Sequence, residues 1–374
     1  GGGGGGGAAA AAASATTADT AAAVSESELS STWHKPDTPR EEQPFRFGGG
    51  VLSSPVPLGI GTWSWGDERT WGYGRDNFGP EQCMHAFNAA LDANVTYFDT
   101  AQVYADGLSE SLLGKFIKMS PHAERRAALG RAPVLVATKF MPWFTHFTTA
   151  AARQHLLASL KRLGVDKVHV YQVHGLMPSV LSAETWAAAF AALVREGVIG
   201  AVGVCNFTFD QTRRTHAALA KHGVPLASNQ VEYSLLRRSP EFSGLIDDCR
   251  RLDVAVLAYS PLGMGRLTGK YSVAHPPPTG RVYGNADMAA VDRVVHALRK
   301  FGARHGNRTP AQVALNWLLC KGVMPIVGCK SAAHVRENVG CLGWRLTADE
   351  VAHLDAVSLD AQAQPSVIQS LFQG

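Results

Sequence analysis

From about residue 50 onward the sequence predicts a single (β/α)8 TIM barrel, preceded by a low-complexity N-terminal extension. Three observations predict it. Short apolar, β-branched runs alternate with longer segments of helical period. There are about eight such runs, the strand count of this barrel. The chemically distinctive polar residues follow the carboxyl ends of successive runs, the ends that share one face when such a barrel closes.

The elements follow in chain order. Residues 1–49 open with seven glycines and an alanine-rich tract and continue through Ser, Thr and Glu. Such a composition cannot bury a core, so a disordered segment is expected there. Strands are expected at Leu58-Gly-Ile-Gly, Val95-Thr-Tyr-Phe, Val134-Leu-Val-Ala-Thr and Val168-His-Val-Tyr-Gln-Val. The second half supplies Gly200-Ala-Val-Gly-Val, Leu226-Ala-Ser-Asn, Val254-Ala-Val-Leu-Ala-Tyr and Met324-Pro-Ile-Val. Between them, segments such as Ala150–Gly164 and Thr185–Gly197 carry apolar residues three and four apart and stop at glycine, the pattern of the outer helical ring. The barrel is expected over 50–360, with a C-terminal tail over 361–374.

Composition removes several function classes. With 374 residues, 46% hydrophobic and 18% charged, the chain can bury a large core. The net charge of +4 is spread thinly, and basic pairs such as Arg125-Arg126 and Arg237-Arg238 lack interleaved aromatics, so nucleic acid is not an expected partner. No apolar run reaches the roughly 18 residues of a membrane span, so no membrane insertion is expected. The six cysteines form no C-x-x-C pair, which argues against zinc and disulfide scaffolds. Gly59-Ile-Gly61 and Gly263-Met-Gly265 both fail the G-x-G-x-x-G pattern of a doubly wound dinucleotide fold. His169 and His174 fall on opposite sides of their strand, so no metal site assembles from them.

The residues at strand ends are Asp99, Lys139, His174, Asn206, Gln230, Tyr259 and Lys330. Four residues together suggest a proton donor. A tyrosine of ordinary pKa near ~10 becomes a usable acid when a cation favours its phenolate. Tyr104 is the candidate acid and Lys139 the cation. Asp99 would hold the ammonium in place, and His174 could donate to a substrate carbonyl.

These residues lie in motifs that resemble the aldo/keto reductase family: "FDTAQVY" (98–104), "SESLLGKFI" (109–117), "ATKF" (137–140), "YQVH" (171–174), "SNQVEYS" (228–234) and "AYSPLGMGRLTGKY" (258–271). The likeness runs from about residue 51 to 356. It implies NADPH as hydride donor, an aldehyde or ketone as substrate, and a catalytic set of Asp99, Tyr104, Lys139 and His174. It also implies that Asn206 and Gln230 meet the nicotinamide carboxamide and that Tyr259 stacks on its ring. Cys205 stands where the family usually has serine, which weakens one expected hydrogen bond. Ser260, Leu262 and Gly263 begin the expected belt over the pyrophosphate, Gly263 to Asn285. After the last strand, Gly328, Lys330, Ser331, His334 and Asn338 match the segment for the adenosine phosphate, with Lys330 on the 2′-phosphate and His334 and Asn338 beside the adenine.

Within the family the sequence is most similar to plant chloroplast pyridoxal reductases, through "GTWSWG" (61–66), "WGYG" (71–74), "GCKSAAHVRENVGCLGWRLTADE" (328–350) and a terminal "SVIQSLFQ" (366–373). That likeness implies pyridoxal as the substrate and a chloroplast location. The first thirty residues do not themselves read as a transit peptide, having no Lys or Arg while containing Asp19, Glu26 and Glu28. Trp63, Trp65, Trp71 and Trp143 follow the first and third strands and are expected to wall a slot for a flat aldehyde. Three other readings are a broad-specificity carbonyl reductase, a cofactor-binding regulatory subunit on the same barrel, and a metal-dependent barrel lyase or isomerase.

Overall fold

The computed structural model describes Gly1 and residues 41–142, 148–175, 182–278 and 286–364. Trp143, the "SVIQSLFQ" tail, residues 279–285 of the expected belt and nearly all of the head lie outside these. Of two compact units, Gly1–Asp37 and Thr38–Gly374, the second holds all the elements that follow.

The chain opens with a short antiparallel hairpin, β1 (Phe45–Arg46) and β2 (Ser53–Ser54). Eight parallel strands follow: β3 (Gly59–Gly61), β4 (Tyr97–Asp99), β5 (Leu135–Phe140), β6 (Val168–Val173), β7 (Ile199–Cys205), β8 (Leu226–Glu232), β9 (Ala255–Tyr259) and β10 (Met324–Gly328). They pair in chain order, and β10 returns to β3 to close the barrel. All eight expected strands are present. Twelve helices are described: α1 (Pro80–Asp92), α2 (Leu108–Met119), α3 (Pro121–Ala128), α4 (Thr149–Leu163), α5 (Ala183–Arg195), α6 (Phe209–Ala220), α7 (Ser239–Phe242), α8 (Leu245–Arg251), α9 (Met288–Arg304), α10 (Pro310–Cys320), α11 (Ala332–Val339) and α12 (Ala348–Val357).

Strand alternation sorts the side chains. Phe98, Val136, Tyr171, Val202 and Val204 face outward and join the large core beneath the helices. Tyr97, Leu135, Ala137, Val170, Ala201, Leu257, Met324 and Ile326 face inward and fill the barrel. Continuing each inward row toward the carboxyl end brings Asp99, Lys139, Gln172 and Cys205 to the same face. These polar residues therefore form the floor of the barrel mouth.

The boundary expected at residue 49 needs correction, because folded chain begins before it. Phe47 is 1% exposed and stacks on Tyr97, with ring centroids 5.2 Å apart. A Cβ at Gly48 would lie 2.2 Å from the Asp253 carbonyl oxygen and 2.5 Å from that of Leu226, so only glycine fits this close approach. The hairpin thus plugs the amino-terminal end of the barrel, opposite the mouth. At the other terminus Arg237 donates to the Ala363 carbonyl at 2.6 Å, and Gln362 donates to those of Leu235 and Ser358, so residues 362–363 are anchored on the loop after β8. Among the described residues no helix is long and apolar enough to cross a membrane.

Candidate active site

Asp99 ends β4 and is 2% exposed; Lys139 lies on β5 and is fully buried. The Lys139 ammonium donates to Asp99 Oδ2 in a short contact, to the Thr100 carbonyl at 2.9 Å and to the Tyr104 hydroxyl at 3.1 Å. Its three N–H bonds are thereby used, and one of them ends on the phenol. Tyr104 opens a 3-10 segment, Tyr104–Gly107, in which Ala105 and Asp106 both take left-handed backbone angles, φ 48° and 52°. These angles are uncommon for residues with a Cβ, and they turn the chain sharply behind the phenol. His174 follows β6, and its ring meets that of Tyr104 edge-on, with centroids 5.7 Å apart. The structure thus brings together the four residues of the expected catalytic set.

The electrostatics differ from expectation in one respect. Burial pushes the Tyr104 phenol up to about 12; Lys139 pulls it down through charge and hydrogen bond, and Asp99 adds to the rise. Lys139 therefore acts in the expected direction, but desolvation is larger and the phenol keeps its proton at neutral pH. Lys139 thus offsets part of the rise that burial causes, through its charge and its hydrogen bond to the phenol. For Lys139 itself burial favours the neutral form, but Asp99, Tyr104 and Cys205 outweigh it and the net shift is upward. Burial, followed by the charge of Lys139, holds His174 well below the ordinary histidine range, so it is a neutral imidazole.

The expected cofactor contacts separate into two groups. Asn206 has φ 59°, and its carboxamide accepts from the Tyr259 hydroxyl at 3.0 Å and donates to the His174 carbonyl at 3.4 Å. Asn206 and Tyr259 are therefore joined at the mouth. Gln230, by contrast, gives its amide N–H to Asp99 Oδ1 at 2.9 Å, a partner the sequence did not indicate. Cys205 is buried, and burial pushes its thiol up to about 12, so it is a neutral, weak donor. Ser260 (φ 50°), Leu262 and Gly263 lead into a 3-10 turn, Gly263–Thr268, above β9.

At the start of α11, Ser331 caps the helix by accepting from the His334 backbone N–H. Lys330 and Lys270 both act on His334 and, after burial, lower its pKa, so this corner holds two cations at a helix amino terminus. A Cβ on Gly328 would meet nothing within 4 Å, leaving its backbone open to a ligand. This donor set fits a phosphate-bearing dinucleotide. Lys330 itself is folded back: its ammonium donates to the Trp71 carbonyl and lies 5.4 Å and 4.9 Å from the Trp71 and Phe78 ring centroids.

Two of the expected site residues are buried. Asn338, on α11, is 5% exposed and donates to Cys329 Sγ at 3.4 Å. Trp65 is fully buried, donates to the Cys329 carbonyl at 2.8 Å and packs on Phe116, so it belongs to the core. Trp63 is 36% exposed and lies inclined 29° to the Tyr104 ring, centroids 6.3 Å apart, with Trp71 edge-on behind it at 5.5 Å.

A residue that the sequence reading passed over completes the floor. Gln172, two positions before His174, donates to Asp99 Oδ1 at 3.0 Å. Its place on the inward row of β6 was the available signal.

The family model described as "Aldo/keto reductase family" matches residues 57–359. A chloroplastic pyridoxal reductase of Arabidopsis thaliana is 36% identical over 86% of this chain and 87% of its own. An aldo-keto reductase of Klebsiella pneumoniae in complex with NADPH superposes with a TM-score of 0.64 at 25% identity, covering 87% of this chain and 99% of that one. A thermostable aldo-keto reductase, Tm1743, in complex with the inhibitor epalrestat gives 0.66 at 29% identity, covering 84% and 99%.

Proposed function

Because the chain belongs to the aldo/keto reductase family and is an NADP-dependent oxidoreductase, we propose that it reduces an aromatic aldehyde, pyridoxal, to its alcohol, pyridoxine. The observation that carries the reading is the Lys139 ammonium, shared between the Asp99 carboxylate and the Tyr104 hydroxyl at 3.1 Å on the floor of the mouth. Bound NADPH would supply the hydride that adds to the aldehyde carbon.

Tyr104 gives its proton to the carbonyl oxygen, and the resulting phenolate is stabilised by Lys139 and later reprotonated by water. His174, neutral and beside Tyr104, donates to the same oxygen and polarises the carbonyl. Trp63 offers a flat face inclined 29° to the phenol ring, which suits a planar aromatic aldehyde. Asn206 and Tyr259 would hold the nicotinamide end of the cofactor, and Ser260, Leu262 and Gly263 its pyrophosphate. Lys330, Ser331 and His334 would hold the phosphate end. The likeness to the Arabidopsis protein further supports a chloroplast location, which a fluorescent fusion of the full-length protein in leaf cells would test by its coincidence with chlorophyll.

The substrate is tested by comparing kcat/KM for pyridoxal with that for small aliphatic aldehydes at saturating NADPH. Pyridoxal is expected to be preferred, with pyridoxine as the product. Equal turnover of the aliphatic aldehydes would keep the reductase but remove the pyridoxal assignment.

A separate prediction concerns the phosphate end. Lys330→Ala should weaken NADPH by about 10- to 100-fold, the value of one charge-assisted hydrogen bond, while NADH, lacking the 2′-phosphate, changes little. Fluorescence titration with both cofactors measures this. Equal weakening of the two would place the 2′-phosphate elsewhere.

A further inference from the structure

We infer that Gln172 is a positioning residue for the proton-donating set, half of a two-amide clamp that keeps the Asp99 carboxylate turned toward Lys139. This rests on the catalytic reading above. The Asp99 carboxylate divides its acceptor capacity by atom. Oδ2 takes the Lys139 ammonium, while Oδ1 takes the amide N–H groups of Gln172 at 3.0 Å and Gln230 at 2.9 Å. Asp99, Gln172 and Gln230 come from β4, β6 and β8, alternate strands whose inward residues form one layer of such a barrel.

Two features show that Gln172 serves this contact. Its carbonyl end, Oε1, is buried with no hydrogen-bond partner among the described residues, so its amide is oriented by the bond to Asp99. Room for its reach comes from Gly203 on the adjacent strand, where a Cβ would lie 2.8 Å from Gln172 Cγ and 2.8 Å from Ser228 Oγ. Gln230 is the amide that the resemblance to the family also implies for the nicotinamide carboxamide. When it turns to the cofactor, Gln172 remains as the fixed donor to Oδ1. Cofactor binding then need not loosen the carboxylate that holds Lys139.

The groups facing Asp99 are Lys139 from β5, Tyr104 from the 3-10 segment, Cys205 from β7 and Tyr97 on its own strand, with His174 beyond Lys139. Replacing the donor with an apolar side chain of similar size, Gln172→Met, should lower kcat about tenfold with NADPH affinity unchanged. The loss should fall on kcat and leave KM for NADPH unchanged, because the carboxylate that orients Lys139 has one donor fewer while the cofactor residues are untouched. Gly203→Ala, which displaces Gln172 without altering it, should lower kcat in the same way. Gln172→Glu, of equal size, guards against a misfolded Met variant. The introduced carboxyl loses its proton at higher pH and places a second negative charge beside Lys139, giving an alkaline limb that falls below the one set by the phenol. A Gln172→Glu profile superimposable on the parent's, or a Gln172→Met variant that loses NADPH affinity, would overturn the proposal. Its failure is distinguishable from failure of the catalytic reading, in which Tyr104→Phe would stay active.

Discussion

Tyr104→Phe is expected to lose about 10²- to 10⁴-fold in kcat for aldehyde reduction, the usual contribution of a positioned general acid. NADPH affinity should stay within a factor of about two, since the residues assigned to the cofactor lie elsewhere on the mouth. Phenylalanine preserves the ring that faces Trp63 and His174 and removes only the hydroxyl that accepts from Lys139 at 3.1 Å. Thermal stability should therefore change little. The loss should fall on kcat and kcat/KM together, the signature of an interaction made in the transition state. Steady-state kinetics beside a cofactor titration separates these terms, and a variant of near-parental kcat would remove Tyr104 from the reaction.

Lys139→Met should slow the chemical step by about 10²- to 10³-fold, as when one donor to a developing oxyanion is removed from a dry site. The phenol pKa, already up to about 12 through burial, rises further once the lysine's opposing charge and hydrogen bond are gone. Proton donation becomes harder at every pH. The same substitution leaves Asp99 as a buried carboxylate without its cation, at a cost of about 3–5 kcal/mol in stability. Asp99→Asn combined with Lys139→Met should recover much of that stability and none of the rate. Chemical denaturation and kinetics on the two variants measure the separation; a double variant that regained the rate would show that Lys139 acts only through the fold.

The barrel was legible because its signal is repeated. Short apolar strands such as Val168–Val173 alternate with helical segments such as Thr149–Leu163, which stops at Gly164, and any one ambiguous run is resolved by its neighbours. The hairpin at Phe45–Arg46 was not legible, since two residues beside a glycine run carry no period. Its anchor, Phe47 on Tyr97, is a contact between distant positions.

The proton-donating set could be read for a related reason: strand ends of a parallel barrel share one face, so Asp99, Lys139 and His174 need only follow their strands. What a side chain does once it reaches that face is a matter of neighbours. Gln230 leans to Asp99, Asn338 donates to Cys329, and Trp65 is drawn into the core by the Cys329 carbonyl. None of these partners is near in sequence. Burial, likewise a property of the closed fold, is why the Tyr104 phenol stays protonated although Lys139 acts as expected.

The central claim, that Tyr104 delivers the proton while Lys139 stabilises the phenolate left behind, is tested most directly by single-turnover oxidation of bound NADPH by pyridoxal, in ordinary and heavy water. The account predicts a solvent isotope effect in the parent protein, a much slower turnover without that effect in Tyr104→Phe, and a slower turnover with a larger effect in Lys139→Met. Single-turnover rates and isotope effects that are the same in all three proteins would contradict it.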